Sequence, residues 1–362
     1  MKGITMGRRD FLKLSLVTAG AVALSGCKVA SDYPSRVQQL REPMTANATW
    51  QEILRYATLA PNGHNTQPWK FVLGGKSVEI HPDATRHLAV VDANDREQWI
   101  SLGCALENLL LAARAAGFVG EVSYPGEGQD FIRVNFESST PSTNALFDAI
   151  PHRQSVRSEY NGQALAQEAL TQIYATALEP GVELHFIVDE AGLEKTLELV
   201  NEGNKSQYGD QAFLDELISW IRFTEKEAMS TQDGLFSRCA GSPTVPRWLG
   251  SMFVGGTKPQ AQADADAKKV RSSAGMVAVA SQGDDKAAWV KTGQVFERLS
   301  LTMTSVGVSS ALLNQPIEVA DLRSQFQSAL AFGNAAPQLL LRFGMADEMP
   351  WSLRRPVEAV IQ

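Results

Sequence analysis

Cysteine is scarce in this chain: of 362 residues only Cys27, Cys104 and Cys239 carry a thiol. No two of them form a CxxC pair, so the sequence offers no disulfide framework and no thiolate metal or redox motif. Cys104 falls in an apolar helical pattern and reads as a small buried hydrophobe. Histidine is also rare, at five residues. His81 and His87 are near neighbours, but they read as turn residues and not as metal ligands. GxSxG, HExxH, P-loop and GxGxxG sequences are all missing, which removes the nucleophile-elbow hydrolases, the zincins and the dinucleotide-binding α/β folds. No apolar run is long enough to span a bilayer comfortably. Positive charge is in deficit too, with 33 Lys and Arg against 40 Asp and Glu. That balance argues against nucleic acid or an anionic membrane face as partner. What is present is 44% hydrophobic and 20% charged residues, a globular composition with a sizeable core. The length suits two domains or one duplicated one.

The beginning of the chain departs from that composition. Residues 6–27, MGRRDFLKLSLVTAGAVALSGC, place Arg8 and Arg9 before an apolar stretch from Phe11 to Leu24 and then Cys27. The stretch is short for a membrane helix and suits a targeting segment. Arg8 to Lys13 resembles a twin-arginine export signal, and Leu24-Ser25-Gly26-Cys27 resembles a bacterial lipobox, in which the cysteine is lipidated. The alternative is cleavage near Cys27 without lipid. The expectation is a signal over residues 1–27, a tether over 28–45, and export to the periplasm or cell envelope. Membrane contact would then be only through the signal or a lipid on Cys27.

Beyond the tether the sequence repeats. ATWQEILRYATLA places Ile53, Leu54, Ala57 and Leu59 on or beside one helical face, and KFVLGGKSVEIHPD reads as a hairpin around Gly74-Gly75. A long helix follows, with Leu102, Leu106, Leu109, Leu110 and Ala113 at core spacing. Within it Asp95, Trp99, Gly103, Glu107, Leu109, Leu111 and Gly117 recur at one constant offset as Asp285, Trp289, Gly293, Glu297, Leu299, Leu301 and Gly307. Tyr56-Ala57-Thr58 recurs at a smaller offset as Tyr174-Ala175-Thr176. The mismatch of offsets means that the second copy carries an insertion, placed at about residues 189–284. Whole-domain duplication follows, with halves at 46–150 and 151–362, and not a solenoid.

The copies differ chemically. The first contains APNGHNTQPWKF, residues 60–71, where Asn62, His64, Asn65 and Gln67 precede Trp69; the second has only LEPGVELHF at that place. The second opens on HRQSVRSEY, with Arg153, Ser155 and Arg157; near its own start the first has only Arg36 and Arg41. Each half keeps what the other lacks, which points to one composite site in an intramolecular pseudo-dimer. Two guanidiniums around a hydroxyl suit a phosphate, with solvated arginines at a helix start as the alternative. Arg354 and Arg355 form a second basic pair. An amide-rich loop suits the edge of a heterocycle. Together these features imply a mononucleotide-like cofactor.

On these residues the chain resembles the nitroreductase superfamily of FMN proteins over most of 46–362, and its fused duplication looks like the Acg-type branch, in which the insertion forms a lid. The resemblance implies an α+β fold of two nitroreductase-like halves, each a small, mostly antiparallel sheet with packed helices. It implies that Arg153, Ser155, Arg157, Arg354 and Arg355 hold the FMN phosphate. Pro61, Asn62, Gly63, Asn65 and Gln67 would reach the flavin from the other half. SVGVSSALLNQPIEV, residues 305–319, resembles the stretch whose backbone faces flavin N5, which places Asn314 and Gln315 there. The implied activity is hydride transfer through N5 to an electron-poor small molecule such as a nitroaromatic or quinone. No side chain acts as acid or base and no metal takes part. Family members are usually homodimers, so the fusion implies a monomer with one FMN. NAD(P)H is not normally supplied outside the cytoplasm, which leaves the electron donor open. Two rival readings are a non-catalytic protein that sequesters or stores FMN and a scaffold without flavin. His64 either approaches the flavin or is satisfied by backbone. Phe236, Trp248, Met252 and Phe253 in the insertion either anchor it or cover the ring.

Overall fold

The computed structural model describes residues 32–330 and 332–362. The arginine pair, Cys27 and the first tether residues lie outside the described residues. The first half holds helices α1 (Tyr33–Leu40), α2 (Trp50–Thr58), α3 (Arg96–Ala115) and α4 (Ala145–Ala149), with strands β1 (Trp69–Leu73), β2 (Ser77–Pro82), β3 (Phe118–Ser123) and β4 (Ile132–Ser138). Helix α2 starts on a reciprocal cap: Thr49 Oγ1 accepts from Glu52 N, and Glu52 Oε2 accepts from Thr49 N at 2.9 Å, an arrangement worth about 1 kcal/mol.

The second half holds α5 (Gln167–Tyr174), β5 (Val182–Ile187), α6 (Glu190–Gly209), α7 (Gln211–Trp220), β6 (Ile221–Arg222), α8 (Glu225–Thr231), β7 (Leu235–Phe236), α9 (Arg247–Gly255) and α10 (Pro259–Arg271). It continues through β8 (Gly275–Ser281), α11 (Lys286–Ser305), β9 (Ser309–Leu312), α12 (Gln315–Glu318), α13 (Ala320–Ala329) and β10 (Ala336–Gly344).

The two four-stranded sheets run in the orders β1-β2-β4-β3 and β5-β8-β10-β9, antiparallel throughout. Each places its long helix between its second and third strands in the chain's core series. One path traced twice is the internally duplicated α+β architecture expected from the repeat. The halves differ between their first two strands. Gly74–Lys76 suffices in the first half, whereas residues 188–274, carrying α6 to α10, fill the same connection in the second. The end of the insertion therefore differs from the sequence estimate of 284. All seven residues of β8 are buried, because it is a central strand covered on both faces, and such a strand is continuously apolar without alternation.

Helices α3 and α11 cross at their repeated glycines. A Cβ on Gly103 would lie 2.1 Å from the Val290 carbonyl oxygen and 3.0 Å from Gly293 Cα; one on Gly293 would lie 2.0 Å from the Ile100 oxygen and 2.8 Å from Gly103 Cα. The Cys104 thiol donates to Gly293 O at 3.3 Å in the same crossing. One hydrophobic core runs through both halves around it. The chain end then clasps the first half, with Phe71 N donating to Val360 O at 2.7 Å and Gln362 N to Phe71 O at 2.8 Å.

Gly103→Ala and Gly293→Ala should each lower stability by about 1–3 kcal/mol or more, since the clash is with backbone and no side chain can give way. Their effects should add poorly, because both act at one crossing. Gly75→Ala, with open space around it, should be near neutral. Urea denaturation of these three variants and of the Gly103→Ala/Gly293→Ala double checks this; a neutral Gly103→Ala would contradict the close crossing.

Candidate functional site

The repeated glutamates of α3 and α11 occupy equivalent places with unlike surroundings. Glu107 receives two hydrogen bonds from Arg298, both 2.8 Å, and Arg298 also reaches Glu179 at 2.9 Å and the Ala177 carbonyl at 2.8 Å. Glu297 is fully buried and faces Arg153, whose Nη2 donates to the Leu59 carbonyl at 3.1 Å. Leu59 and Ala177 are themselves counterparts in the repeat. Each place thus has a glutamate, an arginine and a carbonyl just after the first helix of a half.

The first place is electrically closed, with one guanidinium between two carboxylates. The second is open. Arg153 Nε stands 3.4 Å from Glu297 Oε1, an ion pair without a hydrogen bond, and both Glu297 oxygens lack hydrogen-bond partners. Arg41, Arg157 and Arg354 add three more positive charges around the same pair. Arg41 lies over the Trp351 ring, 4.3 Å to its centroid, with Nε and Nη1 buried and unpartnered. The Arg157 side chain is exposed and makes no ion pair among the described residues.

The electrostatics follow from this surplus. Burial first, and then Arg153, lower Arg41 to about 10. Burial, Arg153 and Arg41 lower Arg354 to about 9. Arg298 at the closed place moves the other way, since its hydrogen bonds to Glu107 and Glu179 outweigh burial. Burial raises the Glu297 carboxyl to about 7 despite Arg153. Uncompensated buried charge costs about 3–5 kcal/mol, so four arginines around one half-titrated acid constitute a place suited to an anion.

The amide loop borders this recess through His64. Three of its residues, His64, Asn65 and Gln67, have positive φ near 50°, the strained backbone that clusters at functional sites. His64 Nδ1 is buried without a hydrogen-bond partner, and burial together with Arg157 lowers its pKa to about 4, so the ring is neutral at neutral pH.

The expected contacts of the other loop side chains are revised by the structure. Asn65 Nδ2 donates to the Gly234 and Leu353 carbonyls at 3.0 and 3.2 Å, and Gln67 Nε2 donates to Gln232 O at 2.9 Å. Asn62 Oδ1 accepts from Gln67 N at 2.7 Å within the loop. These amides fasten the loop to the insertion, to the chain end and to itself; they do not stand free for a heterocycle. Asn65 Oδ1 alone is left buried and unpartnered. Pro61 is buried, and Gly63 N approaches Ser101 Oγ at 3.4 Å.

Other expected residues are divided. Arg354 turns inward and donates to the Thr58, Leu59, Ala60 and Leu353 carbonyls, so it caps α2 and contributes charge, with little left to grip a ligand. Arg355 turns the other way, to Gln67 O at 2.8 Å, and stands outside the cluster. Ser155 N–Cα–C backbone forms a bridge with Ser310. Asn314 Nδ2 donates to Glu97 Oε1 at 2.9 Å while its Oδ1 accepts from Leu340 N. Gln315 Nε2 donates to Asn204 and Asp266, both 3.2 Å. The Asn314 side chain is thus joined through Glu97 to an acidic group of Asp92, Glu97 and Glu318, where burial lifts Asp92 to about 7, while Gln315 is tied to the separate Asn204–Asp266 pair. A Cβ on Gly63 would lie 3.9 Å from Glu97 Oε2, so one loop runs between the basic group and this acidic one. Sequence reasoning passed over Arg41 and Glu297 as site residues. Both were visible, Arg41 as the weak counterpart of the second half's arginines and Glu297 as a repeated acid inside an apolar helix.

Comparison with protein-family models finds no match. Among curated proteins, the chain is 25% identical over 334 residues to a putative NAD(P)H nitroreductase of Mycobacterium tuberculosis, covering 87% of this chain and 91% of that protein. It is 23% identical over 330 residues to the putative NAD(P)H nitroreductase acg of the same organism, covering 88% and 97%. Both alignments must pass through both halves. Among solved structures, the FMN-dependent nitroreductase NfnB from Mycobacterium smegmatis in complex with NADPH has a TM-score of 0.38 at 13% identity, over 60% of this chain and 91% of that one. A nitroreductase-like protein from Bacillus cereus scores 0.36 at 12% identity, over 60% and 94%. Scores this low add nothing to the argument.

A raised carboxyl has a definite signature in stability. Between the ordinary glutamate range near 4.5 and about 7, the folded state keeps the Glu297 proton and the unfolded state has lost it. Stability from this group is therefore present at acid pH and declines as pH rises through 7. Glu297→Gln should remove that decline, so its stability relative to the parent should improve by up to about 3 kcal/mol between pH 5 and pH 8. Denaturation of both proteins at the two pH values measures it; a pH-independent difference would contradict a buried, raised carboxyl.

Proposed function

We propose that this chain is a nitroreductase-type oxidoreductase that holds a single FMN between its halves, with the phosphate at Arg41, Arg153 and Arg157. The observation that carries the reading is the asymmetry of the two glutamate places: one has its single arginine taken up by two carboxylates, and its counterpart gathers four arginines about one acid. The similarity to proteins named putative NAD(P)H nitroreductases, over most of both chains, supports the same class. The unpartnered donors of Arg41 and Arg153, the open guanidinium of Arg157, and the unpartnered His64 Nδ1 and Asn65 Oδ1 fit a ligand with a phosphate at one end and hydrogen-bonding groups along its length.

Bound FMN would supply the redox chemistry, taking up a hydride and passing it to an electron-poor small molecule such as a nitroaromatic or quinone. The protein's own part is binding and orientation. Arg153 is braced from beneath by Glu297 and held in place by the Leu59 carbonyl. Arg354 holds the end of α2 and, through it, the start of the loop. Neutral His64 brings no second positive charge against the ring end. The chain works as a monomer in this reading, because each half supplies what the other lacks. A second reading, a protein that holds flavin without turnover, is favoured by one observation: the insertion's turn at Gln232 to Gly234 is bonded directly to the loop and closes that side. Export by the twin-arginine route with lipid at Cys27 belongs to the same proposal and explains why the donor need not be NAD(P)H.

Losing one charge-assisted contact of about 1.5–3 kcal/mol should weaken FMN binding by roughly tenfold to a hundredfold in Arg157→Ala. Riboflavin, which has the ring and no phosphate, should be little affected. Asn65→Ala should weaken both alike, because it loosens the loop. The FMN content should not exceed one per chain. Fluorescence titration reads all of these; full FMN affinity in folded Arg157→Ala would remove the site. Bleaching of the flavin band by NAD(P)H or dithionite, followed by recovery with a quinone, separates turnover from storage.

Replacing Arg8 and Arg9 by Lys should leave precursor in the cytoplasm, and Cys27→Ala should move mature protein from the membrane to the soluble fraction. Unchanged fractionation of both variants would rule out the targeting proposal.

A further inference from the structure

Arg354 and Arg355 are consecutive, yet they serve opposite sides of the chain end. Arg355 lines a groove of about 450 Å³ that lies between α1, α2, the Gln232 turn and the residues after Arg355. Its charged lining is Arg36, Arg55, Arg355 and one acid, Glu358. Arg36 Nε donates to Gln232 Oε1 at 2.9 Å and Nη1 to Gln39 Oε1 at 3.3 Å. Arg55 Nη1 donates to the Leu40 carbonyl at 2.9 Å. Those partners are neutral, and neither Arg36 nor Arg55 forms an ion pair among the described residues. Arg355 Nε is buried with no hydrogen-bond partner, and the carboxylate paired with this residue, Asp83, is 3.9 Å away.

We propose that this groove is a second, separate binding site, for a small organic anion bearing a phosphate or carboxylate. Three guanidiniums converge there with free donors, and two such groups can take one planar or tetrahedral anion by paired hydrogen bonds. The groove is larger than a bare phosphate needs and falls in the roughly 300–1,000 Å³ range of small-molecule sites. Leu40 and Val357 line it too, so the ligand has an organic body as well as an anionic head. It is distinct from the recess at Glu297, because Arg355 is directed away from Arg153 and Arg157 and bonds instead to the outer side of the loop at Gln67. A ligand in the groove would touch four segments distant in sequence, at Arg36, Arg55, Gln232 and Arg355, and so join α1, α2, the insertion and the chain end.

Calorimetric titration at fixed ionic strength tests this, with pyrophosphate as the phosphate probe and citrate as the carboxylate probe, on protein saturated with FMN so that the Arg153 place is filled. At least one probe should bind at one site. Which of them binds more tightly identifies the headgroup. Arg36→Gln combined with Arg55→Gln should weaken binding at least tenfold, whereas Arg157→Ala should leave it unchanged. Glu358→Gln, which deletes the groove's one carboxylate and cannot act by unfolding the arginine wall, should tighten it. Absence of binding by either probe at millimolar concentration would overturn the proposal. So would unchanged binding in the double variant, or loss of binding in Arg157→Ala, which would assign the anion to the recess instead.

Discussion

The contact on which the structure depends is the crossing of α3 and α11 at Gly103 and Gly293. A built Cβ on either would come within about 2 Å of a carbonyl oxygen of the other helix, closer than side-chain atoms approach in close-packed interiors. The approach places two copies of one helix back to back, and everything related by the repeat is then related across this contact. Glu107 and Glu297 lie one turn beyond the glycines and so are carried to opposite sides of the seam. Each meets an arginine and the carbonyl at the end of a short helix. The seam is also where one core is continuous between the halves, while the second half keeps a further apolar cluster of its own between β8, α6 and α13.

Duplication alone would make two equivalent sites, and the charges show how one was closed. At Glu107 the guanidinium of Arg298 is shared between two carboxylates, Glu107 and Glu179, so no positive charge is left over there. At Glu297 the acid is outnumbered, and Arg41 Nε and Nη1 and Arg153 Nε are buried without hydrogen-bond partners. Burial first, and then neighbouring arginines, lower Arg41 and Arg354, whereas at Arg298 the hydrogen bonds to two carboxylates outweigh burial. Stability alone does not favour the open arrangement, because buried charge is costly when unpaired. An anion supplying the missing charge would remove that cost.

The duplicated fold was legible because its signal is identity at constant offset, which does not depend on knowing any contact. The presence of an insertion was legible for the same reason. Its end was not, since β8 has the continuous apolar character of a strand buried on both faces, and nothing in GMVAVAS says which sheet it joins. The site was legible in part. RQSVR does bring Arg153 and Arg157 to the open place, but the sequence could not show that Arg153 is occupied from below by Glu297, a residue far along the chain. Nor could it separate Arg354 from Arg355. Adjacent side chains diverge according to the path of the backbone, and that path is set here by the clasp of Val360 and Gln362 on β1.

The polar loop is the instructive case. Asn65 and Gln67 were expected to match a heterocycle, and amides do so well, but they match backbone carbonyls equally well. The structure supplies such carbonyls from Gln232, Gly234 and Leu353. The loop needs that fastening because His64, Asn65 and Gln67 all sit at positive φ, a strain of order 1–3 kcal/mol at each such residue that persists only when its surroundings over-determine it. The amides therefore position the loop, and the polar atoms it leaves buried without partners are His64 Nδ1 and Asn65 Oδ1. This also gives the insertion a definite physical role. Its turn at Gln232 to Gly234 is the surface against which the strained loop is held, so a change in the insertion acts on the recess through the conformation of residues 62–67, without any insertion side chain having to enter it.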